Sequence, residues 1–420
     1  MHLASLEILR CPYCGGRLGL VDSLFHRRDG DEILDGILGC HCCIFGIVDG
    51  IPVMHLEGTS VAARAHIESG RPELARRLML NLQTEERAAR FDEMALSETV
   101  TFRELVQALD PSPEGGYFLY RFSDPSYVVA HSLVRAVAKT ALRGGGRAID
   151  LCGGTGHLTR SLADLSSPLP VLADLYFSKI WLARRFTAPG CEAVCCDANG
   201  PLPFARGAFR FAMCADAFMF IWTKRQLIQE MARLIDAPDP TVPGAVVVSH
   251  AHNAAVWSPS HGNPLPPVGY LDLFETLDAR LFAESALFAD VVKGGPLDLG
   301  RRDPPAVLDG DPALSIVAGR GAASLEIFRA HSVDAGPGTR GELRVNPLYT
   351  ASPDGSRVRL RLRFPSEDYA DEFGACREYL PDEAVVDARS LARLAAGEVP
   401  PDLAELVRRR VILDLPPRYY

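Results

Sequence analysis

Ala148-Ile149-Asp150-Leu151-Cys152-Gly153-Gly154-Thr155-Gly156-His157-Leu158 decides the fold. Two apolar residues lead into an aspartate, a small-residue loop follows, and a helical pattern runs from Leu158 to Leu165. The stretch reads as strand, tight turn and helix start. Glycines there lack a Cβ, so the backbone turns sharply and a ligand can approach it closely. Such a loop alone does not separate one nucleoside site from another. The carboxylate placed before the loop, at Asp150, is the distinguishing feature.

Working outward toward the C-terminus, strand and helix patterns alternate, which predicts a doubly wound parallel sheet. Pro170 to Asp174 is a second strand ending in an acid, 24 residues after Asp150. A carboxylate there can accept both hydroxyls of a ribose, or it can cap the next helix, Phe177 to Phe186. Glu192 to Cys196 is a third strand leading to Asp197-Ala198, and Leu202-Pro203-Phe204 precedes a fourth that closes at Asp216. A helix from Arg225 to Leu234 and a fifth strand from Gly244 to His250 complete the series. Before it, a helix is predicted from about Ser126 to Leu142.

In this order the motifs over residues 126–250 resemble class I S-adenosylmethionine-dependent methyltransferases. The resemblance implies that Asp150, Cys152, Gly153, Gly154 and Gly156 surround the aminoacyl end of the cofactor. It places Asp174 and Leu175 at the ribose, Asp197 and Ala198 at the adenine, and Asp216 at the edge facing the acceptor. Two positions depart from the pattern. Cys152 stands where the first loop glycine is usual, and Arg210 follows Phe209 where an aspartate is usual.

At the N-terminus, Cys11-Pro12-Tyr13-Cys14 and Cys40-His41-Cys42-Cys43 are two C-x2-C knuckles with 25 residues between them. Two such knuckles supply four thiolates to one tetrahedral zinc, and a unit of about 57 residues needs such a staple to fold. Spacing selects Cys11, Cys14, Cys40 and Cys43, with Cys42 as a competitor inside the second knuckle. Four thiolates leave no open position, so the metal is structural. Leu9 to Gly16 and Ile47 to Met54 resemble the small zinc-ribbon family that activates tRNA and protein methyltransferases, although Phe45-Gly46 replaces the Tyr-Pro usual there. From Thr59 to about Asp110 apolar residues recur at helical spacing, until Pro111-Ser112-Pro113 breaks the pattern. Tyr117 to Phe122 sets aromatics beside Arg121, either to line a pocket or to pack this cap onto the core.

After the fifth strand, His250, His252, Asn253 and His261 fall within twelve residues, where an open α/β sheet binds its ligands. An imidazole there can take the proton of an acceptor being methylated. His252, on the same face as His250 if the strand alternates and farther out, is the first candidate; His261 and His250 stand behind it. Pro259 to Gly269 reads as a loop and Tyr270 to Ala289 as helical. Arg357 to Phe364 alternates strictly, giving one face of four arginines, which most simply is a solvated edge. Two short helical stretches and Val411 to Leu415 follow.

The expected architecture is therefore an α/β chain: a zinc ribbon (1–57), a helical cap (58–125), a doubly wound, Rossmann-like methyltransferase core (126–291) and a small C-terminal α+β module (292–420). Net charge of −9 and a ribbon with four arginines against eight acids disfavour a nucleic-acid partner. Eleven cysteines, two pairs of them adjacent, suit a reducing compartment, and neither a signal segment nor a membrane span is evident, so a cytoplasmic location is expected. The expected function is methylation of a small molecule, such as a natural-product intermediate, using S-adenosylmethionine with a structural zinc. A tRNA or protein methyltransferase, or an inactive cofactor-binding partner subunit, are the alternatives. The acceptor, the methylated atom and the oligomeric state are not written in the sequence.

Overall fold

A computed structural model describes residues 1–109, 114–236, 244–257, 262–294, 296–320, 331–332 and 341–420. Its centre is a seven-stranded sheet: β1 (Ala148–Leu151), β2 (Val171–Asp174), β3 (Glu192–Cys195), β4 (Phe211–Ala215), β5 (Ala245–His252), β6 (Asp278–Ala283) and β7 (Ala313–Gly319). The spatial order is β6-β7-β5-β4-β1-β2-β3. Neighbours from β3 to β5 are parallel, and β7 runs against both β5 and β6. All four residues of β1 and of β2 are buried, as a sheet covered on both faces requires.

Alternate residues of one strand feed two cores. Ile149, Leu151, Val171 and Ala173 join one cluster with the helix Lys224–Leu234 and the ribbon; Ala148 and Leu172 join the other with the long helix Pro125–Ala141. The two-residue period of a strand makes this division unavoidable.

Three expectations change. The pattern after Gly156 forms only a 3-10 turn, Thr159–Leu162, rather than a helix. Its Thr, Ser and Asp side chains compete for hydrogen bonds: the Thr159 hydroxyl donates to Asp150 at 2.6 Å. The stretch Tyr270 to Ala289 is not one helix but a short helix (Pro267–Asp272), strand β6 and a helix (Glu284–Val292). Pairing of β6 with β7 overrides its weak helical period. Because β7 lies beyond residue 291, the core sheet extends past the boundary expected there.

The cap consists of helices Gly58–Glu68, Pro72–Met79, Glu85–Leu96, Phe102–Leu109 and Glu114–Tyr120. The ribbon, strands Gly19–Leu20, Arg27–Asp29, Glu32–Gly39, Ile44–Val48 and Ile51–Pro52, docks on the outer edge of β3. Val53 bridges Cys195 in parallel, and the Met54 N–H donates to the Cys195 carbonyl at 2.7 Å. An edge strand left open would template association with other chains; here the ribbon covers it.

The C-terminal region forms a three-stranded sheet and a two-stranded ribbon, Glu342–Val345 with Ile412–Leu415. Its tail returns to the core. Tyr419 is buried, stacks on Phe102 at 4.7 Å, and donates its hydroxyl to the Phe118 carbonyl at 2.6 Å. The same oxygen lies 2.6 Å from His157 Nε2, beside the glycine loop. Tyr419→Ala should cost about 3–5 kcal/mol, the range for truncating a buried aromatic. Urea unfolding of the full chain measures this; a loss below about 1 kcal/mol would show that the tail is not part of the core.

Candidate active site

The crevice opens at the carboxyl ends of the parallel strands. β1 has β2 on one side and β4 on the other, a topological switch point of the kind where open α/β sheets bind ligands. Asp150 is buried, and burial pushes its carboxyl up to about 7. The loop that follows bends through left-handed backbone at Cys152 (φ 58°), Gly154 (φ 54°) and Gly156 (φ 77°). Cys152 therefore adopts the conformation that glycine provides without cost, which explains why its position is the unusual one in the loop. At Gly153 the constraint is space: a Cβ would meet Asp150 Oδ2 at 2.5 Å and Leu172 Cδ1 at 2.4 Å.

Asp174, at the end of β2, ties the crevice together. It accepts from the Gly154 N–H at 2.9 Å and from the Tyr176 N–H at 2.9 Å. Leu175 follows at the rim, and its carbonyl accepts from the Cys195 thiol at 3.2 Å. After β3, Asp197 accepts from Asn199 N–H at 2.8 Å, and Asn199 in turn accepts from the Trp222 N–H at 2.7 Å. Ala198 is buried beside it. One neighbour escaped the sequence reading: His55, trailing the ribbon, is 9% exposed and sits with Nε2 3.5 Å from Cys195 Sγ. Nothing in its local sequence announces this; the docking of the ribbon on β3 does it.

A second cluster lies at the ends of β4 and β5. Asp216 (φ 55°) accepts from the Tyr117 hydroxyl at 2.7 Å and lies 3.2 Å from Arg121 Nη2. Arg121, itself buried, also reaches Asp124 at 3.6 Å and Ser126 at 2.6 Å. Tyr369 of the C-terminal region donates to Asp124. Thus the aromatics beside Arg121 pack the cap onto the core and the C-terminal region, with Phe122 against His157 and Tyr117 against Phe373. A β-bulge between Val248 and Ala251 interrupts the alternation assumed for β5, and His250 takes φ 54°. Its Nδ1 lies 2.6 Å from Glu284, which also accepts from the His250 N–H at 3.1 Å. Burial opposes a charge on His250, but Glu284 and Asp216 outweigh it and push the imidazole up to about 9. The His252 ring lies 5.2 Å away at 83°, and burial together with the His250 charge takes it down to about 4. Glu284, Asp124 and Tyr369 carried no sequence signal. His261 lies outside the described residues.

In the ribbon the thiols of Cys11, Cys14, Cys40 and Cys42 all lie within 4.8 Å of one another. Measured separations are 4.0 Å for Cys11–Cys42, 3.7 Å for Cys14–Cys40 and 3.5 Å for Cys40–Cys42. A tetrahedron with zinc–sulfur bonds of about 2.3 Å has edges of roughly 3.8 Å, so this donor set fits such a metal. The spacing choice of Cys43 is not the geometric one. Cys43 donates its backbone N–H to Cys40 Sγ at 3.3 Å, and its thiol lies 3.4 Å from Cys42 Sγ, outside the group of four.

Residues 148–237 match the family described as a methyltransferase domain. The core is that of an S-adenosylmethionine-dependent methyltransferase. No curated protein matches the chain. Among solved structures, a Haloferax volcanii complex containing the Trm112 methyltransferase activator aligns at 16% identity over 53% of this chain and 99% of that one, with a TM-score of 0.36. A Thermotoga maritima S-adenosylmethionine-dependent methyltransferase gives 14%, 52%, 97% and 0.33. Geranyl diphosphate C-methyltransferase of Streptomyces coelicolor gives 15%, 42%, 70% and 0.32.

The loop geometry separates two glycines. Gly153→Ala should destabilise the protein by about 1–3 kcal/mol through overpacking against Asp150 and Leu172. Gly154→Ala meets no atom within 4 Å and should cost only its backbone strain, about 1–2 kcal/mol. Calorimetric melting without ligand measures both; a cost at Gly154 clearly above that at Gly153 would contradict the packing described here.

Proposed function

We propose that this protein methylates a small-molecule acceptor, held between the ends of β4 and β5 and a roof made by the cap and the C-terminal region. What carries the reading is the convergence of Tyr117 and Arg121 on Asp216, continued through Asp124 to Tyr369. Such a roof narrows access to one of the two halves of the crevice, which suits a small acceptor better than a folded RNA or protein. The arginine-rich strand gives no counterargument: Arg359 pairs with Asp354 and Glu383, and Arg361 with Glu383.

The cofactor supplies an electrophilic methyl group on a sulfonium, and transfer to the acceptor breaks the sulfur–carbon bond as the new bond forms. In this reading Asp150 and the loop Cys152 to Gly156 face the aminoacyl end, Asp174 and Leu175 the ribose, and Asp197 with Ala198 the adenine. Asp216 stands where the two halves of the cleft meet. The chain's main contribution is to hold the partners in line, which by itself supplies a large part of such an acceleration. In this reading His252, at the carboxyl end of β5, is the first candidate to take the acceptor's proton, whereas His250, held protonated by Glu284 and Asp216, is not free to do so. The ribbon keeps the β3 edge in place with a structural zinc on Cys11, Cys14, Cys40 and Cys42. Among the described residues no helix is long and apolar enough to cross a membrane.

Two measurements check this. Calorimetry with S-adenosylhomocysteine should show binding that weakens by about 1.5–3 kcal/mol in Asp174→Ala, the scale for hydrogen bonds to a charged group. Unchanged affinity in a folded variant would remove the ribose assignment, and no binding to the parent chain would remove the function. Elemental analysis should find zinc in the protein, with about one equivalent per chain lost in Cys42→Ser and none lost in Cys43→Ser. Zinc undiminished in the first variant would overturn the ligand set.

A further inference from the structure

We infer that Asp216, His250 and His252 form a second metal site, a two-histidine, one-carboxylate site for a divalent transition-metal ion, at the acceptor side of the cleft. One ligand atom from each of the three lies within 4.8 Å of the others. His250 Nε2 and Asp216 Oδ1 are 3.9 Å apart, a gap that a metal with bonds of about 2.1 Å spans after slight contraction.

The groups behind the three side chains are arranged as metal sites require. Metal-bound histidines nearly always donate their other ring N–H to a carboxylate, a backbone carbonyl or a water, which fixes the ring and its tautomer. His250 does so: Nδ1 is held by Glu284 at 2.6 Å, and Glu284 is fixed in turn by the His250 N–H and by the Ser315 hydroxyl at 3.3 Å. Nε2 is thereby aimed at Asp216. Asp216 is fixed likewise, with Oδ2 taken by Tyr117 and Arg121 and Oδ1 turned to His250. His252 is anchored by its backbone, whose carbonyl accepts from the Tyr270 hydroxyl at 2.7 Å, while its Nδ1 is buried with no hydrogen-bond partner among the described residues.

Backbone strain points the same way. Asp216 and His250 both hold left-handed φ angles near 55°. Neither is glycine, and such strain persists where the surroundings impose it, typically at functional sites. Across the irregularity in β5 the rings of His250 and His252 still lie side by side, with centroids 5.2 Å apart. The donor set, two imidazoles and one carboxylate, suits zinc, iron, cobalt or nickel rather than magnesium or calcium.

The site rests on the function proposed above only for its role: the open positions of the metal would take an oxygen or nitrogen of the acceptor. In that case His252 is a ligand, and the acceptor's proton leaves to solvent rather than to the ring.

The test is calorimetric and spectroscopic titration with Co2+ of the protein carrying a single equivalent of zinc, confined to the ribbon, with S-adenosylhomocysteine affinity measured on the same sample. One further equivalent of Co2+ should bind, with weak visible bands and without the intense near-ultraviolet band of cobalt–thiolate. His252→Ala and His250→Ala should each weaken Co2+ binding at least 100-fold, and Glu284→Gln by about 10–100-fold, the range for losing such a supporting carboxylate. Cys43→Ser should leave it unchanged. No Co2+ bound beyond the ribbon, or binding unaffected by both histidine variants, overturns the site. S-adenosylhomocysteine binding without Co2+ binding would leave the methyltransferase reading standing and the metal site refuted; Co2+ binding without it would do the reverse.

Discussion

The Asp216 carboxylate is the contact on which the three parts of the molecule depend. It ends β4 in the core, receives Tyr117 and Arg121 from the segment before the core, and through Arg121 and Asp124 reaches Tyr369 of the C-terminal region. Arg121 and Asp124 are almost wholly buried; the Arg121 charge persists because Asp216 pairs with it, while burial pushes the Asp124 carboxyl up to about 8. Removing one member of such a set strands the others, typically at about 3–5 kcal/mol. The roof over the cleft and the electrostatics of the cleft are therefore one feature. Cap and C-terminal region cannot shift without uncovering charge.

The opposite side of the crevice is governed by sterics and backbone. Gly153 leaves no room for a Cβ, Asp174 pins the loop to the end of β2, and Cys152 carries a left-handed φ that a glycine would take freely. A short 3-10 turn replaces the helix usually expected after such a loop, so the loop's support comes from elsewhere: Thr159 on Asp150, and Tyr419 from the chain's far end on His157. The ribbon adds a third support by pairing with β3 just before Asp197.

Much of this was legible in the sequence, and the division follows physical range. Strands β1 to β5, the acids at Asp150, Asp174, Asp197 and Asp216, and the glycine loop are local patterns, so they read directly. Strands β6 and β7 did not, because Asp278–Ala283 has no strong two-residue period and becomes a strand only by pairing with β7. Spacing alone favours Cys43 with Cys42 as its competitor, because it cannot report which way a thiol points. His250 and His252 were visible as a pair, but Glu284, the residue that aims His250, lies 34 positions away and carries no motif. Tyr117 and Arg121 were visible as a cluster whose use only the packing decides.

A crystal structure grown with S-adenosylhomocysteine tests the central claim most directly. The account predicts the ribose hydroxyls on Asp174, the adenine beside Asp197 and Ala198, and the sulfur facing the cleft between Asp216 and His252. Ligand bound elsewhere on the sheet, or with its adenosine against β5 rather than β2 and β3, would contradict it.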